Sequence, residues 1–140
     1  MRIRYDADRQ QASAPDRGSA SAEAVIATPL LMLLVLAIIQ AGIILHAHHM
    51  AQAAANTAME AARAELASGG DGTAAAEASL GRNAGGVLED AEVTVARGAE
   101  TITVTVSGNA TQIVPLFDAP IEVTVTGPVE HIEPYEAGGE

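Results

Sequence analysis

The chain has 140 residues, no cysteine and no lysine, and a net charge of −11. Disulfides and thiolate metal sites are therefore excluded, and recognition of nucleic acid through a basic patch is excluded with them. The charge is unevenly placed: residues 1–45 hold four arginines against four acids, whereas residues 46–140 hold three against fourteen. The second part is accordingly repelled by anionic lipid surfaces.

In chain order, the first element is an apolar run. From Ala24 to Leu45 no side chain carries a formal charge. As a helix rising about 1.5 Å per residue, the run covers roughly 33 Å, enough for a hydrocarbon core of about 30 Å. Its interruptions are Thr28, Pro29, Gln40 and Gly42; Pro29 lies near the start, where a missing N–H is tolerated. A buried helix in a soluble protein would need a large apolar core around it, which the remaining residues cannot supply. Arg2, Arg4, Arg9 and Arg17 precede the run and only Arg63 follows closely. That bias predicts a cytoplasmic N-terminus and an outer C-terminal domain in a single-pass arrangement. A secretory signal cut near Ala51 or Ala53 is the competing interpretation, with an apolar core too long for that class.

At the mouth of the run stands a lone carboxylate, Glu23, five positions after Gly18. A charge there is costly unless it has a partner. The stretch RGSASAEAVIATPLLMLLVLAIIQAG resembles the start of TadE-like proteins, the minor pilin or pseudopilin components of tight-adherence (Flp-type) pili, with a type IV prepilin-like N-terminus. The resemblance implies a leader, Met1–Gly18, removed by a prepilin peptidase between Gly18 and Ser19. It implies a role for Glu23 in assembly and register, against the new α-amine of a neighbouring subunit. The chemistry is coherent. Glycine leaves the scissile backbone unobstructed, and pairing the amine with a carboxylate lowers the cost of holding either in an apolar setting. Ala24 stands where major Flp pilins usually carry an aromatic, and Ser19 where a large apolar residue is common; both departures favour a minor subunit.

Beyond the run, HAHHMAQAAANTAMEAARAELAS contains no glycine or proline until Gly69 and is rich in the best helix former. Gln52, Asn56, Glu60 and Arg63 form one polar stripe. Gly69-Gly70 is expected to stop this helix. Residues 71–90 read as a connector with a short helix capped by Asp71 or Thr73 and broken at Gly81, Gly85 and Gly86. Three segments then alternate with period two: Val93–Val95, Thr101–Val106 and Ile121–Thr126, with a hairpin turn at Arg97–Glu100. The intervening loop carries Ile113, Val114, Leu116 and Phe117, expected to cover a sheet edge, with Phe117 in the core. Three short strands bury too little alone and need the helix as a backing.

The expected fold is thus α+β and, with the resemblance, pilin-like: a long N-terminal helix, membrane half and protruding Ala-rich half, bearing a small antiparallel three-stranded sheet. The divisions are a leader at 1–18, a transmembrane helix at 19–45, a protruding helix at 46–68, a connector at 69–90, an extracytoplasmic β-rich domain at 91–131 and a tail at 132–140. His46, His48 and His49 lack a completing carboxylate and are read as polar residues at the membrane boundary. Asn109-Ala110-Thr111 matches a glycosylation acceptor of the kind common by chance. Glu89, Asp90 and Glu92 read as a solvated acidic turn. No nucleophile–base set or phosphate loop can be assembled, so a structural protein without cofactor or metal is expected rather than an enzyme. By resemblance its partners are a prepilin peptidase, other pilins and pseudopilins and the pilus assembly platform, together with the bilayer itself. The alternative is an uncleaved single-pass anchor that displays a small extracellular binding module.

Overall fold

The computed structural model describes residues 16–64, 67–115 and 117–130, with the backbone alone for 16–20. Most of the leader, Leu66, Leu116, His131 and the 132–140 tail lie outside the described residues. The chain forms two compact units, Met1–Ile38 and Ile39–Glu140.

In the first unit the described residues are helical throughout, as part of α1 (Asp16–Arg63). Pro29 lies inside this helix and takes away the N–H that would bond the Val25 carbonyl. Beside that gap the Thr28 hydroxyl donates to the Ala24 carbonyl at 2.7 Å. The large apolar side chains face outward, with Val25 73 % and Leu31 62 % exposed. Among the described residues α1 is the one helix long and apolar enough to cross a membrane.

The second unit contains the rest of α1, then α2 (Gly69–Asn83), β1 (Leu88–Arg97), β2 (Thr101–Ala110) and β3 (Pro120–Pro128). The strands form an antiparallel meander in the order β1-β2-β3, with Val95 opposite Val104 and Val106 opposite Val123. The molecule is therefore α+β, a long N-terminal helix with a three-stranded antiparallel sheet, and α2 adds a second full helix. Alternation along β2 buries Ile102, Val104 and Val106 completely, joined by Ile121 and Val123 of β3. The opposite face is wet, and across it Thr103 meets Thr126 and Thr105 meets Thr124 through their hydroxyls at 3.4 and 3.2 Å. The same core takes in Ala47, Ala51, Ala54, Ala55, Ala58 and Ala62 of α1, all without exposed surface. Their spacing of three and four places them on one helix face, and their small side chains let a backbone approach closely. Asn56 and Glu60 lie outside that core, exposed to solvent.

The C-terminal end of α1 is closed from the sheet. The Arg97 guanidinium donates to the carbonyl of Ala62 and, at 3.0 Å, to that of Ala64. Arg63 Nε donates to the Pro128 carbonyl at 3.4 Å. These cations satisfy carbonyls at the ends of α1 and β3 and suit the negative pole of the helix.

Gly69-Gly70 begins a helix instead of ending one. Ser68 is the N-cap of α2 and, with Asp71, forms a reciprocal capping box: the Asp71 N–H donates to the Ser68 hydroxyl oxygen, and the Ser68 N–H donates to Asp71 Oδ2 at 2.7 Å. Asp71 therefore acts three residues inside the helix, and Thr73, the other expected cap, bonds the Gly69 carbonyl from within it. Gly81 is likewise helical, and the break falls at Gly85 and Gly86, whose φ values of 42° and 82° make the turn into β1. Gly72 has a packing role. A Cβ there would lie 2.9 Å from the Ala58 carbonyl oxygen and 3.1 Å from the Ala62 Cβ. The acidic run 89–92 is part of β1 rather than a turn. Its pairing shifts between Glu89 and Glu92, and Asp90 takes a φ of 50° in the resulting bulge.

The capping box makes α2 sensitive to acid. The Ser68 backbone N–H, and next its hydroxyl, hold the Asp71 carboxyl below its ordinary value of 3.8. A carboxylate with a lowered folded pKa stabilises the fold above its unfolded value and loses that contribution as pH falls through the folded one. Amide exchange followed downward from pH 5 is expected to show the first turn of α2 losing protection below about pH 4. In Asp71→Asn that turn starts less protected, and its step is absent.

Candidate functional site

Among the described residues, two places stand out along the first part of α1, at the edge of the apolar run and within it. The first is the beginning of α1. Gly18, Ser19 and Glu23 all lie within its first turns, so the Gly18–Ser19 peptide bond is in helical backbone. Glu23 is exposed. The structure thus places the three residues on one short helical segment.

The second place is Gln40, which the sequence marks only as an interruption of the apolar run. Its side chain is 4 % exposed. Gln40 Oε1 accepts from the backbone N–H of Ile113 at 2.8 Å and of Val114 at 3.3 Å, and Nε2 donates to the Thr111 carbonyl at 3.2 Å. One side-chain amide therefore does for the loop after β2 what a neighbouring strand would do. Closure of the loop at its base is independent of Gln40: Ala110 N–H donates to the Ala119 carbonyl at 2.9 Å, and Gln112 Nε2 donates to Asp118 Oδ1 at 2.9 Å. The Thr111 backbone N–H bonds the Val87 carbonyl at 3.1 Å, and the Thr111 hydroxyl is held between the Gly86 carbonyl and Glu89. A polar amide in an apolar helix is a signal that a partner is required. That partner lies more than seventy positions away in the sequence, as the separations of 71, 73 and 74 show.

The loop does not bury Phe117, contrary to expectation. Phe117 is 64 % exposed and Ile113 47 %. Both point away from a core already filled by Ala119, Ile121 and the β2 valines. Among the described residues no group of three or more His, Asp or Glu side chains is arranged to hold a metal ion.

Among the described residues these features define a class: a chain with one apolar helix of membrane-crossing length, whose continuation forms the backing of a small sheet domain. The family model for TadE-like proteins matches residues 18–63. Over that segment the chain is similar to TadE-like proteins, and the match together with the apolar helix fits a membrane protein associated with the tight-adherence pilus. No curated protein and no solved structure matches the chain.

Proposed function

We propose that the chain is a TadE-like minor pilin or pseudopilin, a structural and assembly component of a tight-adherence pilus. In this role it enters the cytoplasmic membrane with its N-terminus inside and its α+β domain outside. A prepilin peptidase then removes the leader between Gly18 and Ser19. The observation that carries the proposal is the coincidence of three boundaries. The family match opens at residue 18, the charge-free run opens one residue after Glu23, and the match closes at residue 63, where α1 ends.

Trimming changes the electrostatics of Glu23. In the precursor α1 starts at Asp16, and Glu23 sits in its interior. After cleavage Glu23 is the fifth residue of a helix whose free amine and unpaired N–H groups make a positive pole, which favours a carboxylate. The same carboxylate can receive the amine of a neighbouring subunit and so fix axial register in an assembly with other pilins and the assembly platform. Release of the outer domain by cutting near Ala51 or Ala53 is physically disfavoured. Ala47 and Ala51 belong to the core, and such a cut would also remove the Gln40 contacts to the loop.

A bulky residue at the scissile position tests the proposal. Gly18→Leu is expected to leave the full leader on the membrane-bound protein in cells that contain the peptidase, while the wild-type chain is trimmed. A wild-type protein that also keeps its leader, so that the two masses differ only by the glycine-to-leucine substitution, would overturn the cleavage assignment.

A further inference from the structure

The loop from Thr111 to Ala119 presents the exposed large apolar side chains, Ile113 and Phe117, that the described residues carry outside α1. They sit in the part of the chain that is strongly acidic overall, where an exposed phenyl ring is conspicuous. The loop's position is set by Gln40, which holds its backbone at Thr111, Ile113 and Val114.

Gln40 belongs to the apolar run itself. The charge-free run closes at Leu45, directly before His46, His48 and His49, so the outer boundary of the hydrocarbon falls near that residue. Gln40 then lies about one and a half helical turns beneath the outer boundary, and a loop bound to it is held at that depth. In the same unit Ile39 and Leu45 are exposed, 45 % and 62 %, so the loop joins a helix surface that is itself apolar on both sides of Gln40. Two further features suit that depth. The N–H groups of Ile113 and Val114 are satisfied by a side chain and need no water, as backbone near hydrocarbon requires. Asp118, the acid next to Phe117, is held by Gln112 rather than left aimed at the apolar tip.

We infer that the loop 111–119 is an interfacial anchor, with Phe117 and Ile113 inserted at the headgroup–acyl boundary of the leaflet from which the outer domain emerges. The occupant of this apolar face is lipid, and neutral lipid in particular, because the acidic domain repels anionic headgroups. Such an anchor fixes the tilt and rotation of the outer domain, since a single helix alone leaves rotation about its axis free. It gives a chain without tryptophan a substitute for an aromatic belt.

The inference rests on the membrane assignment of α1, and one experiment separates the two. Because the chain lacks cysteine, single variants of the full chain can each be labelled at one position. Leu34→Cys, Ile113→Cys, Phe117→Cys and Glu100→Cys, each carrying an environment-sensitive fluorophore, are reconstituted in phosphatidylcholine vesicles with quenchers at shallow or deep positions of the lipid. The β signature of each variant is checked by circular dichroism. Deep quenching at 34 is expected, together with shallow quenching at 113 and 117 several-fold greater than at 100. Quenching at 34 with none above the level of 100 at 113 and 117 overturns the anchor and leaves the membrane helix standing. Shielding of 117 from aqueous iodide without lipid quenching also overturns it, by assigning the face to a second copy of the chain. An unquenched label at 34 removes the membrane assignment and the anchor with it.

Discussion

Ala58→Leu is expected to destabilise the outer domain by about 1–3 kcal/mol, the usual cost of forcing added methyl groups into a filled core. Ala58 has no exposed surface, and its carbonyl oxygen lies where a Gly72 side chain would begin. The separation of α1 and α2 is thus set by two residues that lack bulk. An isobutyl side chain at 58 adds three carbons at a fully buried position and is expected to push α2 or the sheet away. Small domains hold only about 5–15 kcal/mol in total, so a loss of this size is visible as a large fall in the urea midpoint. Gly72→Ala is expected to act in the same direction, because its Cβ would meet backbone that cannot rotate away. Ala53→Leu is the control: Ala53 is exposed on the same helix and is expected to stay within about 0.5 kcal/mol of the parent. Equal midpoints for the 58 and 53 variants would mean that the alanine face is not the core of the domain.

Gln40→Leu is expected to free the loop while leaving the sheet intact. The substitution keeps the size and apolar character that a membrane helix tolerates, but removes the acceptor for two N–H groups and the donor for one carbonyl. Each buried group left unpaired costs about 1–3 kcal/mol. At about 1.4 kcal/mol per factor of ten, amide protection at Ile113 and Val114 should fall by roughly 5- to 150-fold. Protection at Val104, in the middle strand, should remain at its parent level. Unchanged exchange at Ile113 and Val114 would show that the closure at Ala110 and Ala119 suffices. Loss across the whole sheet would show that Gln40 supports the domain rather than the loop.

What could be read from the sequence follows the physics of each element. The strands were legible because one face of the meander is wet: threonine at alternate positions reports solvent, and Ile102, Val104 and Val106 report the core. The Ala-rich half of α1 was legible from propensity, and its polar stripe correctly left the alanines to face the sheet. The start of α2 was not. Two consecutive glycines disfavour a helix by intrinsic propensity, and that cost is offset here by the Ser68–Asp71 box and by close packing at Gly72, which only the fold reveals. Phe117 was misplaced because a large aromatic side chain in a long loop is more often buried, and nothing local shows that β2 and β3 already fill the core. Gln40 was visible as an anomaly, but its partners lie on a distant loop, beyond any local pattern. At the N-terminal site the order Gly18, Ser19, Glu23 is a matter of spacing alone, and the roles in processing and register that it suggests are proposals about other molecules.

Everything proposed for assembly depends on where the mature chain begins. The most direct measurement is the intact mass and N-terminal sequence of the wild-type protein, purified from membranes of cells that express the cognate peptidase. A chain that starts at Ser19, with Glu23 as its fifth residue, is the expected result. A chain that retains residues upstream of Gly18 under those conditions contradicts it, and leaves an uncleaved anchor carrying the same α+β domain.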